Sequence, residues 1–296
     1  MYLASYRFII LLFWFVTSAA LACLADDTCV EKSSWQLGIA FGIGVKTNPL
    51  VDGDDIPLVI LPDVAWYAEQ AYFDNGELGY QWLNKPTFAF ETFLQFDQER
   101  AFFSFLHPTN TLFPINSAAI TLPVLPASPA SPALTDELMQ NSQLILSIDK
   151  IAKRKWGING GIRGHYFLSM GEWQMTFQQD MSNLHKGQQI KLEYSHRWLW
   201  HNFRLALRVG TDWKSARLID YYYGVSERDT DLVEFYFDGQ SGWQTYISIN
   251  LQKPINEKWS WLASIGYRRL PDSLTNSPLV EKNNINNIFL GVAYHF

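Results

Sequence analysis

Trp35-Gln36-Leu37-Gly38-Ile39-Ala40-Phe41-Gly42-Ile43-Gly44-Val45 decides the fold. Its odd positions carry Trp35, Leu37, Ile39, Phe41, Ile43 and Val45. Its even positions carry Gln36, Gly38, Ala40, Gly42 and Gly44. One face is large and apolar, and the other is small. A helix would need apolar residues three and four apart, so period two makes this a strand. At about 11 residues it is long enough to cross a bilayer at a tilt.

The same alternation returns along the chain. Phe88, Phe90, Thr92, Leu94 and Phe96 share a face, as do Trp156, Ile158, Ile162, Tyr166 and Leu168 with Gly160 and Gly164. Ile190, Leu192 and Tyr194 form another, then Phe203, Leu205, Leu207, Val209 and Thr211. Trp243 to Leu251 and Trp259 to Tyr267 follow the same rule. So many one-sided apolar strands with no helices to cover them satisfy both faces and edges only as a closed barrel in lipid. The expected fold is all-β: a single antiparallel transmembrane barrel of about 12 strands, between roughly 10 and 14 because Ala71 to His107 divides ambiguously. The last residues, Ile288, Leu290, Val292, Tyr294 and Phe296, close the chain inside a strand. A terminal aromatic on an alternating strand resembles the signal read by the barrel-assembly machinery of bacterial outer membranes, so Tyr294 and Phe296 are the positions expected to carry it.

Composition agrees with a barrel in an outer membrane. Of 296 residues, 48% are hydrophobic and 16% aromatic, including 12 Trp, 14 Tyr and 20 Phe, yet mean hydropathy is near neutral. An apolar, aromatic-girdled outside with a polar inside gives that combination. The net charge of −6 argues against nucleic acid as a partner. At the N-terminus, Arg7 precedes the apolar run Phe8 to Val16 and the small residues Ser18-Ala19-Ala20-Leu21-Ala22. This reads as a signal peptide over residues 1–25, cleaved after Ala22 or Ala25, with the barrel over 26–296. Cys23 and Cys29 fit neither a disulfide framework nor a zinc motif.

Turns order the chain further. Lys253 to Lys258 reads as a tight periplasmic turn, and the longer Leu270 to Asn284 as an external loop. Ser182 to Gly187 also reads as a periplasmic turn. The stretch from about His107 to Gln140 contains Leu122-Pro123-Val124-Leu125-Pro126-Ala127-Ser128-Pro129, whose prolines exclude it from a ladder, and is expected to be an external loop.

Several blocks carry a family resemblance. They are Thr47-Asn48-Pro49-Leu50, Gly53-Asp54-Asp55-Ile56-Pro57-Leu58, Leu61-Pro62-Asp63, Phe73-Asp74-Asn75-Gly76-Glu77-Leu78-Gly79-Tyr80, Asp180 with Gly187, and Asp220-Tyr221-Tyr222-Tyr223-Gly224-Val225. In order and spacing the chain resembles the MipA/OmpV family of outer-membrane proteins. The motif positions are Pro49, Gly53, Asp54, Pro57, Gly76, Gly79, Asp180, Tyr222 and Gly224. The resemblance implies localisation in the outer membrane. It also implies a scaffold role, because the family's namesake is described as binding a membrane-bound lytic transglycosylase and a murein synthase. Other members are linked to immunogenicity, adhesion or envelope stress.

Most motif residues also have plain structural readings. Asp74-Asn75-Gly76 is a turn, and Pro49, Pro57 and Pro62 shape the first external loop and the strand after it. Tyr221 to Tyr223 read as girdle aromatics. Asp52, Asp54 and Asp55 fall short of a calcium loop, which needs more ligands at defined spacing, and read as a solvated edge. The alternation points Arg163, His165, Lys191, Glu193, Arg204 and Arg208 into the lumen. Such charges either line a narrow pore for small solutes or form an ion-pair network that fills the barrel. Open channels are typical at roughly 16 strands, so filling is the expectation. None of the six histidines stands in a catalytic or metal-ligand pattern, and no phosphate loop appears. No enzyme, metal or cofactor is therefore expected. An outer-membrane hydrolase ranks last among the functions considered, after scaffold and pore.

Overall fold

Alternating strands leave every backbone group seeking a neighbour, and in lipid only a closed sheet supplies one for each. The computed structural model describes residues 34–112, 146, 148 and 151–296. The expected signal segment, its cleavage positions and most of the Pro-rich stretch lie outside these residues. The described residues form one closed antiparallel barrel of twelve strands. They are β1 (Ser34–Lys46), β2 (Ile56–Tyr67), β3 (Ala71–Asp74), β4 (Glu77–Asn84), β5 (Phe88–Phe96) and β6 (Ile158–Leu168). Then come β7 (Gly171–Asp180), β8 (Gln188–Trp200), β9 (Phe203–Lys214), β10 (Gly242–Pro254), β11 (Trp259–Arg269) and β12 (Asn284–His295). Each strand pairs with its sequence neighbours, and β12 closes the barrel on β1, with Gly42 opposite Gly291.

Period two sorts the side chains as the sequence implied. Trp35, Leu37, Phe41 and Ile43 face outward, while Gly38, Ala40 and Gly44 are buried inside. Ile162, Leu192, Val209, Ile247, Ile249, Ile265, Ile288 and Leu290 continue the outer apolar band. Tryptophans and tyrosines mark its two borders. Trp82, Trp173, Trp198, Trp200, Trp259 and Trp261 lie at one end, and Trp156, Trp243 and Tyr267 at the other.

The two ends differ in loop length. Connections 68–70, 85–87, 169–170, 201–202 and 255–258 are short and share an end with both termini of the barrel. Connections 47–55, 181–187, 215–241 and 270–283, together with the described ends of 97–157, lie at the other. Bacterial barrels keep their short turns in the periplasm, which makes the second end external. Residues 181–187 therefore form an external loop and not a periplasmic turn. The loop looks short because the Asp180 carboxylate accepts the backbone N–H groups of Ser182, His185 and Lys186 at 2.8, 2.8 and 2.9 Å and folds it tightly.

The external loops build a second core above the barrel. It gathers Leu50, Ile151, Leu218, Ile219, Tyr222, Tyr223, Val225, Leu270, Leu274 and Leu279. Helix α2 (Ala216–Tyr223) supplies its centre. Tyr222 and Tyr223 are thus buried in this cap, not placed in a girdle. Their spacing from Leu218 and Ile219 is helical, which sets all four on one face.

One part of the wall is thin. Strand β3 has four residues and pairs with β2 only through Ala65, Trp66 and Tyr67. Its hairpin turns at Asn75-Gly76, both with positive φ (47° and 95°), halfway up the barrel. Beyond that turn the outer half of β2 has no strand beside it on that side, among the described residues. Val64 directs its carbonyl and N–H to Asn75 at 3.0 and 3.1 Å. Pro62, two residues away, faces the same gap and has no N–H to leave unpaired. The space is occupied by α1 (Pro108–Thr111), which packs on β2 with Pro108 and Leu112 against Gly76.

Candidate functional site

The interior of the barrel is where chemistry-bearing side chains converge. Strand parity alone brings them there, since inward positions recur every second residue. Arg163 on β6 and Glu91 on β5 stand opposite each other in register, and Glu77 on β4 comes from one strand further. The Arg163 guanidinium donates to both Glu77 oxygens at 2.8 and 2.6 Å and to Glu91 at 2.6 Å. His165 lies 2.5 Å from Glu172 and 3.4 Å from Glu91. Arg197 approaches Glu172 at 3.6 Å. Three carboxylates and three basic side chains thus form one continuous network along β4 to β8.

A second network covers the facing wall. Lys191 is 3.0 Å from Glu193, the Tyr246 hydroxyl donates to Glu193 at 2.6 Å, and Arg208 lies 3.8 Å from it. Below the cap runs a relay of amides. Gln95 donates to Gln178, Gln178 to Gln189, and Gln189 and Gln244 both to Asp212, at 2.5 to 2.7 Å. This belt ties β5, β7, β8, β9 and β10 together.

The lumen is also crossed at its external end. The 3-10 turn Gln98–Phe103 folds inward after β5. Glu99 on this turn accepts from Lys214 of β9 at 2.5 Å and from the Tyr223 hydroxyl at 2.6 Å. Burial acts to raise the Glu99 carboxyl, but the Lys214 ammonium and the Tyr223 hydroxyl outweigh it and hold it below the ordinary carboxylate range. Asp97 meets His185 at 2.9 Å, and Lys46 of β1 donates to Asn110 at 2.6 Å. One inward fold is therefore fastened to β1, β9 and the β7–β8 loop.

The sequence-derived candidates fall into two groups. Arg163, His165, Lys191, Glu193 and Arg208 sit in the two wall networks. Arg204 lies nearer the periplasmic end of β9, half-buried. Most of the family-motif positions gather at the external end, while Gly76 and Gly79 lie lower in the wall, in the β3–β4 hairpin. Pro49 accepts the backbone N–H groups of Glu281 and Lys282, Gly53 donates to Leu50, and Asp54 is exposed nearby. Pro57 stands in β2 opposite Val45, Gly79 opposite Tyr72, and the Gly224 N–H ends α2 on Asp220. Asp55 of the acidic cluster takes Lys282 at 2.9 Å, and no group of three metal-ligating side chains occurs among the described residues. The partners Glu77, Glu91 and Glu172 and the glutamine belt were missed by sequence reasoning. Glu91 was within reach of it, two residues from Phe93 on the inward face of an already recognised strand.

Comparison with known proteins agrees with this architecture. A sequence profile of the family described as MltA-interacting protein MipA matches residues 37–296. Outer membrane protein Omp26La of Vibrio anguillarum is 29% identical over 51% of this chain and 58% of its own length. The putative outer membrane protein YiaT of Escherichia coli K12 is 26% identical over 51% of this chain and 61% of its own. The MltA-interacting protein of Escherichia coli K12 is 24% identical over 48% of this chain and 58% of its own. The matched part thus spans about three fifths of each relative. With a profile match from within β1 to the final residue and a closed transmembrane barrel to house it, this chain belongs to the MipA/OmpV family of outer-membrane β-barrel proteins.

Proposed function

We propose that this barrel is a non-enzymatic anchor holding murein-remodelling enzymes, a lytic transglycosylase and a murein synthase, at the inner face of the outer membrane. The observation that carries the reading is the periplasmic rim. Met170 and Ile255 stand in short turns, and Leu199 ends the inward face of β8 between the border residues Trp198 and Trp200, all of them exposed. Apolar side chains outside the lipid band and outside any core are the usual centre of a protein interface. The filled lumen supports the same reading, because it makes the barrel a stiff mount. The relative named for interaction with MltA gives the partner class.

The test is affinity capture from mildly solubilised native envelopes, with barrel folding checked by heat-modifiable gel mobility. The intact barrel is expected to recover a lytic transglycosylase or a murein synthase, and an unrelated barrel is not. The double variant Leu199→Asp, Ile255→Asp should lose that recovery while remaining heat-modifiable. Recovery of no murein enzyme by the intact barrel overturns the anchor. A narrow pore would instead show bilayer conductance whose ion selectivity changes in Arg204→Glu or Arg208→Glu. The final strand, with Tyr294 and Phe296 in edge contact at 5.1 Å, is the segment we assign to recognition by the barrel-assembly machinery.

A further inference from the structure

Residues 226–238 belong to the β9–β10 connection at the external end. Their base is fixed to the cap. Val225 and Phe237 exchange backbone hydrogen bonds at 2.9 and 3.0 Å, and Phe235 and Phe237 pack on the apolar core of the cap. Asp229 fastens the stretch again, bound to Arg154 at 2.7 Å and to the Ser226 N–H at 3.3 Å. A 3-10 turn (Val233–Phe235) follows, closed by the Phe235 N–H on Leu232 and the Tyr236 N–H on Val233, both at 3.1 Å. In such a turn side chains three apart eclipse, so Val233 and Tyr236 share one side.

That side is apolar and bare. Leu232, Val233 and Tyr236 are all exposed, Val233 to 72%. The cap core takes Phe235 and Phe237 and leaves these three in solvent. Exposed apolar side chains grouped on a braced backbone mark an interaction surface. Its surroundings are acidic. Asp231 and Glu234 flank Leu232 and Val233 in the chain, and both are exposed, as are Glu227 and Asp238. Glu227 and Asp231 act electrostatically on the Tyr236 hydroxyl. The single basic residue of the stretch, Arg228, is engaged by Asp229 at 3.1 Å and by the Tyr221 carbonyl at 3.1 Å.

This charge pattern selects the occupant. A surface built to rest on a membrane carries Lys and Arg beside its apolar side chains, because it is drawn to anionic headgroups. Here the sign is reversed, so an anionic leaflet is repelled and a cationic partner attracted. We propose that Leu232, Val233 and Tyr236, with the carboxylates of Asp231 and Glu234, form an external docking surface for a cationic amphipathic peptide segment. The apolar stripe of the segment covers the three side chains, and its Lys or Arg residues pair with the carboxylates. Because the turn is braced in advance, little ordering is needed on this side of the contact.

The experiment is fluorescence anisotropy of a labelled amphipathic helix made of lysine and leucine, titrated with the full barrel in nonionic micelles at pH 7 and low ionic strength. Empty micelles give the background. Saturable binding above that background is expected. The double variant Val233→Ser, Tyr236→Ser should weaken it roughly tenfold or more, and Asp231→Asn, Glu234→Gln several-fold with a shallower dependence on salt. All four side chains are exposed, so both variants should keep heat-modifiable mobility and the melting temperature of the parent. A probe with glutamate in place of lysine should not bind. The proposal is overturned if the parent binds no better than empty micelles, if either variant binds as the parent does, or if the glutamate probe binds equally well. Binding seen in micelles but lost in lipid nanodiscs overturns it too, since the bilayer then covers the surface.

Discussion

Strands β6 to β12 and strands β2 to β5 build the same barrel by different means. The first group has ten to thirteen residues per strand and no register shift between neighbours. The second has strands of twelve, four, eight and nine residues, with shifts at Phe41/Gly44 and Gln81/Leu83. In the regular part the backbone ladder carries the wall. In the irregular part side chains and a loop do: Arg163 clamps Glu77 and Glu91, Asn75 ties the hairpin to Asp63, and α1 fills the gap over Gly76. Closure thus rests on named contacts on one side and on periodic hydrogen bonds on the other.

That contrast can be broken most strongly at Arg163. Arg163→Met leaves two largely buried carboxylates without their main partner and should cost about 3–5 kcal/mol in urea unfolding from liposomes. Arg208→Met in the regular part should cost less, about 1–3 kcal/mol, because Glu193 keeps Lys191 and Tyr246. Equal losses would deny the difference between the two walls. Next come two glycines that let a tyrosine ring lie flat across them. A Cβ at Gly79 would sit 2.1 Å from the Tyr72 ring, and one at Gly210 2.3 Å from the Tyr246 hydroxyl. Each alanine variant should cost about 1–3 kcal/mol, the Gly79 change less, since its short hairpin can shift.

Gly76→Ala is smaller again, about 1–2 kcal/mol, from the positive φ of that turn. Its sharper sign would be faster amide exchange in β2 and β4 with β10 unaffected. The smallest effect concerns the cap alone. Burial acts to raise the Asp229 carboxyl, but Arg154 at 2.7 Å holds it below its ordinary range. Its contribution is complete above the unfolded-state value of about 3.9 and is lost as pH falls through the folded value. Pepsin should therefore cut within 215–241 more readily at pH about 2 than at pH about 4. Asp229→Asn should flatten the difference.

The same contrast explains what could be read in the sequence. Residues 35–45, 203–211 and 243–251 announce themselves because period two needs several repeats to stand out. Ala71–Asp74 offers four residues, too few to show a period, so the stretch to His107 yields no unique division. The lumen-facing charges follow from parity, but their carboxylate partners depend on which strands adjoin, and that requires register. The cap escaped because Leu218, Ile219, Tyr222 and Tyr223 form a single helical face of eight residues inside a loop. Three consecutive tyrosines there suggested an interface with lipid, whereas helical spacing turned two of them inward.

Pro62 has a consequence for life in a crowded membrane. Barrels in an outer membrane stand side by side, and a strand edge with no strand beside it, such as the outer half of β2 that only α1 covers, is an invitation for a neighbour's strand to zip onto it. A proline at that edge offers no proton to start the zipper, and at the register shift opposite Gly42 and Ile43 the consecutive residues Val59 and Ile60 both turn outward and spoil the flat profile a second strand would need. The protein can leave one seam of its wall unlaced and still remain a stranger to the barrels around it.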